Sequence, residues 1–337
     1  MDVSTLLALA QNATDVGNCQ AAQEFFEVAL TCSPNNIDVL EAYAELMIHH
    51  LQDIPRAKQM LQHAIEVDPQ HGYVKYLNLA QLCDSNESLE CYQRALQIVR
   101  GELDTCRKKR RRGTLNETLS TIYCAIAELY LTDLCYAPGA EQRCEEAIVH
   151  ALKCNGRSVE AHQLQASLRL SQNRFDEALQ FLRRAVDLTH RLSEAYQPTY
   201  DSKVELSRLL MQVSPDDAYR FLLEILQLGD NNPYIWFLLG ESARLRKRYA
   251  DSARLLRRAR VMLTMSDGAA EALQEVDAAI AVLVEEMGGP AAVEQIADLD
   301  HPNPIELLTP EDEGDEEGDD DDEDMVKREW ESCDDED

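Results

Sequence analysis

Small residues return in this chain at one fixed internal spacing, about every 34 residues where the register is clearest. The pattern reads Ala22-x-x-x-Phe26-x-x-Ala29 with Pro34 behind it, then Ala57-x-x-x-Leu61-x-x-Ala64 with Pro69, and again Ala178-x-x-x-Leu182-x-x-Ala185. Steps of four and three residues place all three side chains on one face of a helix. A helix carrying only that narrow stripe cannot bury it alone, so the units must stack on one another.

A second helix type precedes each of these. Its mark is clearest in Trp236-x-x-Leu239-Gly240-x-x-Ala243 and weaker in Leu6-x-x-Leu9-Ala10-x-x-Ala13, Tyr76-x-x-Leu79-Ala80-x-x-Cys83 and Tyr123-x-x-Ile126-Ala127-x-x-Tyr130. Gly or Ala at the crossing lets two helices approach, and the large residues beside it fill the groove between them. The paired pattern resembles the tetratricopeptide repeat. Turn chemistry agrees: Ser214-Pro215-Asp216-Asp217 and Asn232-Pro233 read as a capping residue followed by a helix-starting proline. The expected fold class is therefore all-α, a tetratricopeptide-repeat α-solenoid of about seven helix pairs. The pairs start near Val3, Ile37, Gly72, Ser120, Ser158, Thr199 and Pro233, with a capping helix over Gly268 to Glu286. This places the repeat superhelix at residues 1–287, with a basic insertion at 100–115.

The charge is unevenly spread. The chain carries a formal net charge of −30, and Glu311 to Asp337 hold 18 Asp or Glu against Lys327 and Arg328, a net −16 in 27 residues. Like charges at that density resist collapse, so residues 288–337 read as a linker and a disordered acidic tail. No apolar run reaches the roughly 18–20 residues of a membrane span, and the N-terminus lacks a basic region followed by an apolar signal core. A soluble intracellular protein is expected. Ten cysteines are scattered with no Cys-x-x-Cys pair, and they read as small, reduced core residues rather than metal ligands or disulfides.

No phosphate-binding glycine loop, metal-binding His-Glu-x-x-His helix, nucleophile elbow or zinc spacing occurs. Neither an enzymatic centre nor a cofactor is expected. His49 and His50 are adjacent, and neighbours on a helix diverge by about 100°, so they cannot converge on one point. Function is sought instead on the concave face, which the first helix of each pair lines in this repeat. Numbering the motif tryptophan as four, positions two, five, nine and twelve face that groove. They select Asp38, Glu41, Glu45, Asp84, Glu128, Glu160, Tyr234, Phe237 and Glu241, alongside neutral or basic positions such as Leu7, Gln11, Leu77, Gln81, Gln163 and Arg244. The surface is mixed but rich in carboxylates, which suits a cationic ligand. Exposed ion pairs contribute about 0.2–1 kcal/mol each, whereas nanomolar binding needs about 12 kcal/mol. Tyr234, Phe237, Leu77 and Leu131 are the candidate apolar anchors. Lys and Asn, which clamp acidic C-terminal peptides in related repeats, are replaced by Leu7, Gln11, Glu41 and Glu45, so an acidic peptide is excluded as ligand.

The middle of the chain is more specific. Ala127-Glu128-Leu129-Tyr130-Leu131-Thr132-Asp133-Leu134, then Ala140 to Glu145, then Ser167-Leu168-Arg169-Leu170-Ser171-Gln172-x-Arg174-Phe175-Asp176-Glu177-Ala178, then Leu206 to Met211, resemble the dedicated assembly chaperones of ribosomal protein L4. The plan of repeats followed by an acidic C-terminus fits as well. The resemblance implies a chaperone that holds the basic internal loop of newly made ribosomal protein L4 in its groove until assembly into the pre-60S particle. It implies residence in cytoplasm and nucleus, and no direct contact with nucleic acid or membrane. A monomer is expected. Two other readings stay open: an adaptor subunit of a multiprotein complex, and a chaperone of histones or other basic proteins. The run Lys108, Lys109, Arg110, Arg111 and Arg112 admits three readings. It is a nuclear localisation signal read by an import receptor, an ordinary solvated loop, or a partner for the acidic tail.

Overall fold

The computed structural model describes residues 2–193, 196–227, 232–265 and 269–297. Regular structure among them is helical throughout. Six helix pairs open the chain: α1 (Val3–Asp15) with α2 (Cys19–Cys32), α3 (Ile37–Leu46) with α4 (Ile54–Val67), α5 (Val74–Ala80) with α6 (Ser85–Thr105), α7 (Lys109–Leu131) with α8 (Ala140–Cys154), α9 (Val159–Ser171) with α10 (Phe175–Arg191), and α11 (Tyr200–Val213) followed by α12 (Pro215–Gln227). A seventh, α13 (Pro233–Leu245) with α14 (Tyr249–Thr264), is followed by α15 (Ala270–Glu286) and α16 (Pro290–Glu294). The chain divides into two compact units after Phe221. No helix among the described residues is long and apolar enough to cross a membrane. The all-α tetratricopeptide architecture expected from the repeat is the one observed.

In the first unit the repeating stripe is the core. Ala22, Ala29, Ala57, Ala64, Ala178 and Ala185 are all fully enclosed, and Phe26, Leu61 and Leu182 between them are at most 1 % exposed. Each small residue marks a place where a neighbouring backbone comes close, and each large one fills the space beside it. Caps fix the helix starts: Asn18, Asn36, Asp53 and Ser158 accept hydrogen bonds from the backbone N–H groups of Ala21, Val39, Arg56 and Ala161. Pro55 follows its cap within the first turn of α4. After α3 the chain makes a π-helical turn, Met47–Leu51, that carries His49 and His50 on the surface.

In the second unit Gly240 explains itself by distance. A Cβ there would stand 2.7 Å from the Leu256 side chain on α14, a separation that only glycine allows. The helix expected to cap the array is α15, packed with α14 through Leu256, Ala279 and Leu283.

Several boundaries differ from the sequence reading. The ordered second unit does not stop at 287: α16 buries Val293 against Ala253, Leu256 and Leu283, and Arg257 donates to the carbonyls of Val293 and Ile296. A short apolar residue behind Gly288-Gly289-Pro290 gave too little periodicity to announce this helix. The insertion at 100–115 is not a loop. It is a lengthening of α6 and α7, which run 21 and 23 residues. Of the nine described cysteines, all free, only Cys124 and Cys144 are buried; Cys32 and Cys135 are exposed. Cys333 and the acidic tail lie outside the described residues.

Candidate functional site

Asp38, Glu41 and Glu45 stand on α3 at spacings of three and four, which places them on one face. Asp38 and Glu45 are exposed and Glu41 is half-buried. Glu41 borders a hollow of about 530 Å³ with Asp38, Asn36, Asp68, His71 and Lys75. Loss of water around Glu41 raises its carboxyl above the ordinary carboxylate range; Lys75 opposes that shift, and the charges of Asp38 and Glu45 add to it. Lys75 is completely buried, and its ammonium donates to the His71 carbonyl at 2.5 Å. It was not selected from the sequence because position three of a repeat helix ordinarily points into the core, where a lysine is unexpected.

Glu128 on α7 and Glu160 on α9 come from adjacent repeats. Glu160 lines a second hollow of about 860 Å³, bounded by Glu117, Ser120, Arg157, Arg191, Tyr196 and Ser202 among others. Its carboxylate is reached by solvent but stands among protein atoms that displace much of its hydration. That desolvation, and then the negative charge of Glu128, push its pKa up to about 7. Tyr92 on α6 feels the same two carboxylates after its own burial, and its phenol is shifted upward. Glu128, Glu160 and Tyr92 therefore form one electrostatically coupled group, assembled from three helices.

Lys75 acts on Glu41 through space without bridging it. Among the described residues none of Asp38, Glu41, Glu45, Glu128 and Glu160 forms an ion pair with Lys or Arg; Glu45 accepts from the Asn78 amide, at 3.4 Å. Some carboxylates on the second helices are bridged, although Glu24, Glu90 and Glu146 form no ion pair among the described residues, and Glu205 on the first helix α11 meets Arg208 at 3.9 Å. Glu27 meets Arg56 at 3.2 Å, Glu87 meets Lys58 at 3.2 Å, and Glu145 meets Arg169 at 2.7 Å.

Other selected residues behave differently. Asp84 is not on a first helix at all: α5 ends at Ala80, and Asp84 is the residue before α6. The short loop in that unit shifts the register, so the twelfth position falls outside the helix. Glu241, in the second unit, is held by Arg244 at 2.9 Å, and Arg244 also reaches Glu286 of α15 at 2.9 Å. Its charge is already answered. Tyr234 and Phe237 stack with ring centroids 5.8 Å apart, and Phe237 packs on the Leu256–Leu283 cluster. Leu77 and Leu131 are likewise half-covered by the core around Tyr123. Tyr196 is the large open aromatic beside the carboxylates, 67 % exposed. It sits in the 192–199 connection, which no repeat motif covers, so nothing in the pattern marks it. Arg157 and Arg191 at the same hollow also lie outside the repeat motif: Arg157 is past the end of α8, and Arg191 is the last residue of α10.

The basic run is placed in two parts. Arg111 bonds Glu102 at 2.9 Å, and Arg112 donates to the carbonyls of Leu103 and Cys106. These two residues fasten the end of α6 to the start of α7. Lys108 is the residue before α7, and Lys109 and Arg110 begin it.

The tetratricopeptide-repeat family profile matches residues 159–189, which are α9 and α10. The chain is 34% identical over 209 residues to a protein of Schizosaccharomyces pombe named "Probable assembly chaperone of rpl4", covering 59% of this chain and 60% of that one. It is 30% identical over 234 residues to a protein of the same name from Emericella nidulans, covering 65% of this chain and 57% of that one. The chain thus spans less than two thirds of the length of either relative. A solved structure described as an assembly chaperone of RpL4 superposes with a TM-score of 0.65 at 24% identity, over 75% of this chain and 100% of that one. A tetratricopeptide repeat protein from Parabacteroides merdae superposes with a TM-score of 0.51 at 15% identity, over 81% of this chain and 96% of that one. The two structural likenesses establish the fold. The two curated relatives bear out the resemblance drawn from the Ala127–Glu145 and Ser167–Ala178 blocks.

Proposed function

We propose that this chain is a non-enzymatic holding chaperone for ribosomal protein L4, and that it receives a basic, extended segment of that protein on the unpaired carboxylates of its first helices. The observation that carries this reading is the set of first-helix acids Asp38, Glu41, Glu45, Glu128 and Glu160, which no Lys or Arg bridges among the described residues, with Glu41 and Glu160 desolvated as well. Uncompensated charge costs self-repulsion in the free protein, and it is relieved when a cationic ligand arrives. The names of the two curated relatives supply the client's identity. An extended basic segment, normally neutralised by ribosomal RNA, would otherwise bind any polyanion it met.

In this reading Asp38, Glu41 and Glu45 form one contact and Glu128 with Glu160 another. Tyr196 adds an apolar surface beside the second, and Tyr234 with Phe237 offers one in the second unit. Carboxylates hasten encounter and reject acidic competitors, while the aromatic rings supply buried area. Ribosomal RNA, with its denser charge, then takes the segment at assembly into the pre-60S particle. This handover, and residence in both cytoplasm and nucleus, belong to the proposal.

The test is to purify the protein at moderate salt and identify what accompanies it in stoichiometric amount. Ribosomal protein L4 supports the reading. Histones, or a stable multi-subunit assembly without L4, overturn it. Binding to a synthetic peptide of the L4 internal loop is expected to weaken as salt rises, since exposed charges are screened beyond about 8 Å at physiological ionic strength. Salt-independent binding would remove the acidic contacts from the mechanism.

A further inference from the structure

The function proposed above uses acidic surface and leaves the basic run unexplained. Residues 100–115 carry seven Lys or Arg against Glu102 and Asp104, in a chain whose formal net charge is −30. Residues 107–114 are eight consecutive exposed positions. Six of them, Lys109 to Thr114, are already helical. A helix packed along one side alternates buried and exposed residues; one exposed all round stands clear of its neighbours. The first buried residue of α7 is Leu115. At roughly 1.5 Å per residue, the 23-residue helix runs about 35 Å, and its first turn and a half is free of the core.

The six cations on this tip divide by task. Arg111 and Arg112 serve the joint, through Glu102 and the α6 carbonyls. Arg107, Lys108, Lys109 and Arg110 form no ion pair among the described residues, and all four are exposed. Four like charges on consecutive residues repel one another and gain nothing from the described fold, which leaves them for an anionic ligand. An import receptor that reads the run as extended chain would have to unwind the start of α7 and break the bonds of Arg112 to Leu103 and Cys106. A partner that takes the tip as it is folded needs only dense negative charge at the surface, with no fixed backbone geometry. A phosphate backbone has that chemistry.

We propose that the projecting tip formed by Arg107, Lys108, Lys109 and Arg110 is a docking surface for the phosphate backbone of RNA. It gives the protein a second contact, opposite in sign to the carboxylate sites. The family resemblance implied no direct nucleic-acid contact, and the formal net charge of −30 is the physical objection to one. Screening removes that objection, since charges more than about 8 Å from the tip are largely shielded at physiological ionic strength.

The test uses the full chain and its variant R107A/K108A/K109A/R110A, with Arg111 and Arg112 left in place so that the α6–α7 joint is retained. Circular dichroism and the thermal midpoint establish that the variant is folded, and a swap of the two lysines to arginine serves as the conservative control. Binding of a fluorescein-labelled single-stranded RNA and of an RNA duplex is followed by anisotropy between 50 and 200 mM salt. Four released counter-ions predict a log–log slope of about −3 for the single strand. The variant is expected to bind at least tenfold more weakly with that slope largely lost, while the arginine swap binds as wild type. Equal RNA affinity in wild type and variant would overturn the proposal. So would equal affinity of the wild type for polyglutamate of matched charge, which would identify an acidic protein surface as the partner. Loss of import-receptor capture with unchanged RNA binding would overturn it as well and assign the run to transport.

Discussion

Glu160 offers a direct test of whether the first-helix acids hold a cation. In the free protein its pKa stands at about 7, because the hollow strips its water and Glu128 lies close. A Lys or Arg side chain entering that hollow reverses both effects and lowers the pKa, so binding near neutrality expels a proton. A fall of one unit gives about fivefold weaker binding at pH 6 than at pH 8; a return to the ordinary 4.5 gives about tenfold. At pH 7 the released proton amounts to roughly half an equivalent, since the free carboxyl is then about half protonated.

The assay is titration calorimetry of the L4 loop peptide in buffers of different ionisation enthalpy, at pH 6, 7 and 8, for wild type and Glu160→Gln. Glutamine keeps the shape and removes the ionisation. The variant should bind more weakly than wild type at pH 8, and the two should converge at pH 6, where wild type is about nine-tenths protonated. Wild-type affinity that is flat from pH 6 to 8, or a pH dependence that persists unchanged in Glu160→Gln, would refute the assignment of this carboxylate to the client.

Three further outcomes need no client. Folding raises the Glu160 pKa, so the stability tied to its neutral form is present below about 4.5 and lost as pH climbs through 7. Glu160→Gln should stabilise the fold at pH 8 and not at pH 5, by about 1 kcal/mol after allowance for its access to solvent, read as a higher thermal midpoint at pH 8 alone. Gly240→Ala would press a methyl to 2.7 Å from Leu256 and should destabilise the second unit by about 1–3 kcal/mol despite the better helix propensity of alanine; chemical denaturation checks it, and a smaller loss in the Leu256→Ala background identifies the contact. Val293→Asp places a charge in the Leu256–Leu283 cluster and should detach α16, seen as faster amide exchange over 290–297 with α1 to α11 unaffected.

Legibility followed the repeat closely. Wherever the spacing Ala-x-x-x-Phe/Leu-x-x-Ala is intact, the three side chains are buried as read, because a helix crossing allows few alternatives to a small residue at the contact. Register failed where the pattern thinned. Asp84 is the twelfth position of a full-length repeat helix, but α5 has only seven residues and ends before it. The run at 100–115 read as an interruption for a related reason. Cationic residues exposed on every side carry no hydrophobic period, so their helix is specified by the joint that Arg111 and Arg112 make with α6 and not by their own pattern.

Site residues obey a different logic, and it accounts for which of them were found. Position within a repeat tells whether a side chain leaves the core; it does not tell whether another side chain answers its charge. By position alone Glu128 and Glu241 are equivalent, each at the ninth place of its first helix. Arg244 follows Glu241 by three residues and bridges it to Glu286, whereas Leu131 occupies the matching place after Glu128. Glu241 takes part in holding α13 to α15, whereas Glu128 has no such bridge among the described residues. The i to i+3 partner therefore separates these two acids at one motif position, whereas Glu27, Glu87 and Glu145 are bridged by cations from other helices. Asp38, Glu41 and Glu45 pass the same criterion, with Glu41, Ala44 and Ile48 at their i+3 positions. Exchanging the two contexts makes the claim testable: Leu131→Arg should neutralise Glu128, lower the pKa of Glu160 by removing its like-charged neighbour, and weaken binding of the L4 loop peptide without loss of fold. Unchanged binding in that variant would mean that the carboxylate pair is not where the client sits.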